Sequence, residues 1–210
     1  MPATFVNVPL NSITSKFCVS RPIDLITANY TDDIEDLPVA KKWSMKPSVT
    51  FPNFSEQFPL LQAFESRPSD IWVVSFPKCG TTWTQEMVWL LDNDLDFDTA
   101  KKTFLYDRFP FFEVSYLPNG QKGDTVGKLN EMTEQRYIKS HMPANLLPRS
   151  IWRAKCKVIY VARNPKDAAI SFYHHWRNIA TFTGTLDHFL DMFVNDYSKY
   201  TSGLQIYAYF

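Results

Sequence analysis

The feature that most constrains this chain is a β-branched run that stops at a proline, turns through a lysine and a glycine, and resumes as a helix. Ile71-Trp72-Val73-Val74-Ser75-Phe76 is apolar at both alternations, as a strand buried on both faces requires. Pro77-Lys78-Cys79-Gly80 breaks it. Beyond the break Trp83, Met87, Val88, Leu90 and Leu91 recur at helical spacing, with Thr81 or Thr82 placed to cap the helix. The pattern returns at Lys157-Val158-Ile159-Tyr160-Val161-Ala162-Arg163, a strand ended by Asn164-Pro165, where proline opens the next helix. In that helix Ala168, Ala169, Phe172, Tyr173 and Trp176 share a face. Arg136 to His141 reads as a short strand stopped by Met142-Pro143, and Leu186, Phe189, Leu190, Phe193 and Val194 mark a further helix. Strands alternating with helices predict an α/β fold, a parallel sheet flanked by helices.

The first 68 residues lack this pattern. Pro2, Pro9, Pro22, Pro38, Pro47, Pro52, Pro59 and Pro68 interrupt any long helix, and Tyr30 to Asp36 is acidic and turn-like. The expected organisation is a proline-rich arm, 1–68, packed on a main α/β domain, 69–210. Lys plus Arg is 22 and Asp plus Glu is 22, so the broad basic surface of a nucleic-acid binder is not supported. Cys18, Cys79 and Cys156 form no CxxC and no even-numbered framework, which argues against both a zinc site and a disulfide-stapled domain. The N-terminus carries no basic and apolar leader pattern, and no uncharged run reaches the roughly 18 residues of a membrane span. The expected setting is the cytoplasm, with no metal, no nucleic-acid partner and no membrane span.

Three strand ends carry candidate chemistry. At the first, a helix N-terminus offers unpaired amides and the positive end of a dipole, Gly80 admits an anion close to the backbone, and Lys78 with the Thr81 and Thr82 hydroxyls adds charge and donors. The lysine precedes the glycine, so this is not a Walker A loop. An ordinary strand-to-helix turn with a solvated lysine is the bland alternative. At the second, Arg163 presents a fork for a phosphate and Ser171, two helical turns on, can donate to the same group; the bland alternative is a surface pair of Arg163 with Asp167. At the third, Lys139-Ser140-His141 sets a histidine able to take a proton from a hydroxyl on the same strand face as a lysine. Taken alone, His141 reads as structural at least as readily. His174 and His175 read as structural, and His188 has no partner in sequence. The aromatic stretch Phe104 to Tyr116 is either a wall of an apolar pocket or core packing.

Together these segments resemble the cytosolic sulfotransferase family. Ser75-Phe76-Pro77-Lys78-Cys79-Gly80-Thr81-Thr82-Trp83 resembles its 5′-phosphosulfate loop, TYPKSGTTW, with Phe76 for tyrosine and Cys79 for serine. Tyr160 to His174 resembles its 3′-phosphate motif. Lys139-Ser140-His141-Met142-Pro143 with Leu146-Leu147-Pro148 resembles its KTHLP…LLP segment, and Arg108 to Glu113 its acceptor-pocket segment. The resemblance spans roughly residues 40 to 197. It implies a P-loop-like sulfotransferase fold and transfer of a sulfuryl group from 3′-phosphoadenosine 5′-phosphosulfate (PAPS) to a hydroxyl or amine of a small lipophilic alcohol or phenol. By position it implies His141 as the base, with Lys78 and Lys139 as catalytic cations. Lys78, Cys79, Gly80, Thr81 and Thr82 match the 5′-phosphate loop, Trp83 an adenine contact, Arg163 and Ser171 the 3′-phosphate site, and Phe109, Phe111 and His141 the acceptor site. The family's late RKGxxGDWK motif and its dimerisation segment are not found, and the stretch after Tyr197 departs from the family pattern. A fold incomplete at the C-terminus is therefore expected, and a homodimer would lack the family's usual segment. An inactive truncated isoform that binds nucleotide or a partner weakly is the alternative.

Overall fold

The computed structural model describes residues 3–8, 25–30, 48–50, 52–116, 123–179 and 182–194. Cys18, the acidic stretch after Tyr30 and the tail from Ser198 lie outside these. Compactness divides the chain into two units, residues 1–56 with 163–210, and residues 57–162. The boundary expected at 68/69 falls inside the second.

In the first unit, β1 (Ala3–Val8), β2 (Leu25–Tyr30) and β3 (Ser48–Thr50) form an antiparallel sheet in that order, with Ala3 opposite Tyr30 and Ile26 opposite Thr50. This is regular structure where the sequence read as an irregular arm. Thr4, Val6, Val8, Ile26, Thr27 and Val49 supply β-branched residues. The same unit holds α7 (Pro165–Ile179) and α8 (Leu186–Val194). Asn164 caps α7, its side chain accepting the Lys166 amide at 3.0 Å, with Pro165 at the first position as expected. Phe172, Trp176 and Phe182 surround Phe189 at ring distances of 5.9, 5.8 and 5.7 Å. His175 stacks on Phe172 and His174 lies against Tyr173, as structural histidines do. His188 finds its partner in the Thr185 hydroxyl, 3.0 Å away.

The second unit carries the parallel sheet. α1 (Pro52–Gln62) leads in, followed by β4 (Ile71–Ser75), α2 (Thr81–Asp92), α3 (Phe97–Lys102), α4 (Leu105–Arg108), α5 (Thr125–Glu131), β5 (Tyr137–Ser140), α6 (Ser150–Ala154) and β6 (Lys157–Val161). The strand order is β5-β4-β6, with both neighbours parallel to β4. Both come later in the chain, so the first crossover leaves to one edge and the second returns past β4 to the other, and the carboxyl end of β4 is where open α/β sheets bind ligands.

β4 is buried along its whole length. On one face Ile71 and Val73 pack with Trp89, Phe109 and Tyr137. On the other Trp72 meets Phe64 and Phe112 edge-on at 6.0 and 5.1 Å. At the amino end of the sheet the Arg136 guanidinium donates to both Asp70 oxygens at 2.7 and 2.6 Å, and both side chains are buried. The Arg136 carbonyl accepts the Ile71 amide and the Asp70 carbonyl accepts the Lys157 amide, so this pair ties the starts of all three strands.

The rotation of α2 differs from the apolar spacing. Its inner face is Thr81, Gln85 and Trp89, while Trp83, Met87 and Leu91 face outward. Thr81 is pinned by the Ser75 hydroxyl and Trp89 lies under the Arg108 guanidinium at 4.5 Å, which sets this rotation.

Candidate active site at the carboxyl ends of β4 and β5

The parallel register pairs Val74 with Ser140, so the next residues, Ser75 and His141, lie level with each other. The Ser75 carbonyl accepts a hydrogen bond from His141 Nδ1 at 2.9 Å. A carbonyl oxygen only accepts, so Nδ1 carries the hydrogen and Nε2 keeps the basic lone pair. The Ser75 hydroxyl bonds the Thr81 hydroxyl at 2.6 Å and lies 3.4 Å from the same imidazole nitrogen. One residue thus joins the histidine to the loop that opens α2.

That loop is held in unusual backbone. Gly80 is the N-cap of α2 at a φ of 106°, and no side chain caps the helix. The expected threonine cap does not form: Thr81 turns inward to Ser75, and Thr82 is exposed. Uncapped first-turn amides behind a glycine make an anion cradle. Lys78, half-buried, also has positive φ, 67°. Cys79 is buried, and Trp83 is 80% exposed. A Cβ on Gly80 would touch only Val161 Cγ1, at 3.9 Å, so space does not dictate glycine there; backbone conformation does. Gly80→Ala is expected to lower stability by about 1–2 kcal/mol in urea denaturation, with no new steric clash.

Lys139 is buried, its ammonium 4.2 Å above the Phe111 ring and 5.8 Å from that of Tyr106. Burial pushes its pKa down to about 8; Glu113 opposes this and Lys78 adds to it. Phe111 also sets its ring edge-on to the His141 imidazole, 5.1 Å away. Phe109, grouped with Phe111 as an acceptor contact on sequence, is fully buried in the core cluster under β4.

Glu113 is a residue that sequence reasoning did not single out. Its carboxylate accepts the His141 backbone amide at 2.6 Å and is buried. Burial raises its pKa to about 7, against the lowering effects of the His141 amide, the Ser140 hydroxyl and the Lys139 charge. The signal available was a lone acid closing an aromatic run, Phe109 to Glu113.

The structure brings together Lys78, Cys79, Gly80, Thr81, Lys139, His141 and Phe111 within the second unit. Arg163, exposed, and Ser171, half-buried, belong to the first. Among the described residues no group of three or more His, Cys, Asp or Glu is gathered as a metal site would require, and no helix is long and apolar enough to cross a membrane.

Residues 68–206 match the family model for the sulfotransferase domain. The chain is 39% identical over 163 residues to luciferin sulfotransferase of Photinus pyralis, covering 70% of this chain and 43% of that protein. In fold it resembles retinol dehydratase, solved with retinol and PAP, with a TM-score of 0.80 at 22% identity over all of this chain and 66% of the other. It also resembles mouse sulfotransferase SULT7A1, solved with PAP, with a TM-score of 0.58 at 26% identity over 79% of this chain and 56% of the other. The chain spans about half the length of the curated relatives it matches.

Proposed function

This chain belongs to the sulfotransferase family, and from that premise we propose that it transfers a sulfuryl group from PAPS to the hydroxyl or amine of a small lipophilic acceptor. The observation that carries the reading is the shared residue Ser75, which bonds both the histidine and the first residue of the uncapped helix. A proton acceptor and an anion cradle are thereby held side by side.

The residues present fit the donor. The first-turn amides behind Gly80, with Lys78 and the Thr81 and Thr82 hydroxyls, would hold its 5′-phosphate, Cys79 lending its backbone. Exposed Trp83 offers a ring face to adenine. On sequence resemblance the 3′-phosphate falls to Arg163 and Ser171. PAPS supplies the activated sulfuryl group when bound.

His141 takes the acceptor proton at Nε2, because Nδ1 is committed to the Ser75 carbonyl. Lys139, with a pKa of about 8, is mostly an ammonium at neutral pH. With Lys78 it sets positive charge where the transferring and departing oxygens gain negative charge. Phe111, against the imidazole, walls the acceptor side, while Phe109 lies in the core. Solved or matched relatives carry names involving retinol and luciferin, so a lipophilic alcohol or phenol is the proposed class. The proposed setting is the cytoplasm, where Cys79 stays a thiol.

The test is calorimetric titration of the 210-residue chain with 3′-phosphoadenosine 5′-phosphate (PAP) and with ADP, followed by transfer to 4-nitrophenol. PAP is expected to bind about 10- to 100-fold more tightly, the worth of one charge-assisted phosphate contact. Equal binding of ADP would remove the Arg163 and Ser171 assignment. Binding without transfer would make the chain a nucleotide binder, and no binding by a folded chain would overturn the proposal.

A further inference from the structure

We propose that Glu113 is a positioning residue, whose carboxylate fixes the backbone of His141 and sustains the charge of Lys139. This rests on the reading of those two as the transfer groups. The geometry begins with a strap. Lys139 donates its amide to the Pro110 carbonyl and accepts the Phe112 amide, each at 2.9 Å, so Pro110 to Phe112 lies along β5 as a short added strand. The strap ends at Glu113. His141 is the first residue beyond β5, where the ladder has run out, and the Glu113 side chain supplies the acceptor for its amide at 2.6 Å. The main chain of His141 is therefore held by a side chain rather than by ladder pairing, while its ring is held by the Ser75 carbonyl.

A purely structural role needs one neutral acceptor. A buried carboxylate brings a second oxygen and a charge, both costly to desolvate, and Oε2 has no partner at hydrogen-bond geometry. Burial works against the charge and Lys139 works for it, so the carboxylate is ionised above about pH 7. The titratable and charged groups acting here are Lys139 on β5, His141 just past it, and Lys78 from the loop after β4, whose charge acts on Lys139. Burial and Lys78 both work to strip the proton from Lys139; Glu113 works to keep it there. Phe111, on the same strap, packs against both the imidazole and the ammonium. Both strap residues thus reach His141, and Phe111 also reaches the Lys139 ammonium.

The test uses the full chain with Glu113→Gln, which keeps a carbonyl acceptor for the His141 amide but removes the charge. Three quantities are read: the Lys139 titration by NMR of labelled lysine, kcat for transfer to 4-nitrophenol across pH, and PAP affinity. Removing a negative charge lowers an ammonium pKa, so Lys139 is expected to titrate below the wild-type value of about 8. The alkaline limb of kcat should move down with it, because the cation is lost as pH rises. kcat should fall about 10- to 100-fold with PAP affinity retained. A Glu113→Gln chain that melts like wild type, with Lys139 titrating and kcat behaving as before, overturns the inference. A wild-type chain that shows no transfer overturns the proposed function instead, and the Lys139 titration alone then decides this one.

Discussion

Replacing His141 with alanine is expected to lower kcat for sulfuryl transfer on the order of 10²- to 10⁴-fold, the usual worth of a positioned general base. kcat/KM for the acceptor should fall in parallel, because the interaction lost is one made in the transition state. PAP affinity should hold, since the nucleotide contacts assigned above come from the loop, from Trp83, and from Arg163 and Ser171. His141 Nδ1 is bonded to the Ser75 carbonyl, so the proposed proton transfer is assigned to Nε2. Calorimetry with PAP alongside steady-state kinetics checks both halves. A variant that retains wild-type kcat would remove His141 from the reaction, whatever its place in the site.

The second large effect is on stability. Asp70→Asn leaves the Arg136 guanidinium buried with its counter-charge gone, and this is expected to cost about 3–5 kcal/mol. In a chain of this size that is a fall in Tm on the order of 10 °C. Arg136 keeps the Leu129 and Glu65 carbonyls and the Phe64 ring, but none of these neutralises it. The double variant Asp70→Leu with Arg136→Met removes both charges and should recover much of the loss, because an apolar pair of similar volume carries no desolvation cost. Denaturant midpoints for the two singles and the double measure the coupling. A neutral Asp70→Asn would show that the pair is not what ties the three strand starts.

Asp70 and Arg136 stand 66 residues apart in the chain and carry no local pattern announcing a pair. Arg136 reads in sequence as the first residue of a strand; β5 begins at Tyr137, and the Arg136 carbonyl still accepts the Ile71 amide just before it. Glu113 was hidden in the same way: its partner is a backbone amide 28 residues on, met only because the strap pairs with β5. The N-terminal sheet was missed for a related reason. Its strands are short, and each finds its partner across a long separation, Val8 with Leu25 and Thr27 with Val49.

The sequence by itself determined the parts whose cause is local. A buried β-branched run specifies β4, Asn164-Pro165 starts α7, and the order strand, lysine, glycine, threonine places a glycine-led helix start at a strand end, the turn proposed to hold the anion. The residue types at the three strand ends were sufficient to name the family, because they recur at the right separations. Only the tertiary structure decided what depends on register and rotation. It put Ser75 level with His141 and so chose the basic nitrogen. It turned Thr81 inward, leaving Gly80 as the cap, and it sent Phe109 to the core while keeping Phe111 against the His141 ring. Each of these is set by a contact between residues distant in the chain or by the rotation of a helix against its sheet, and neither is fixed by nearest-neighbour chemistry.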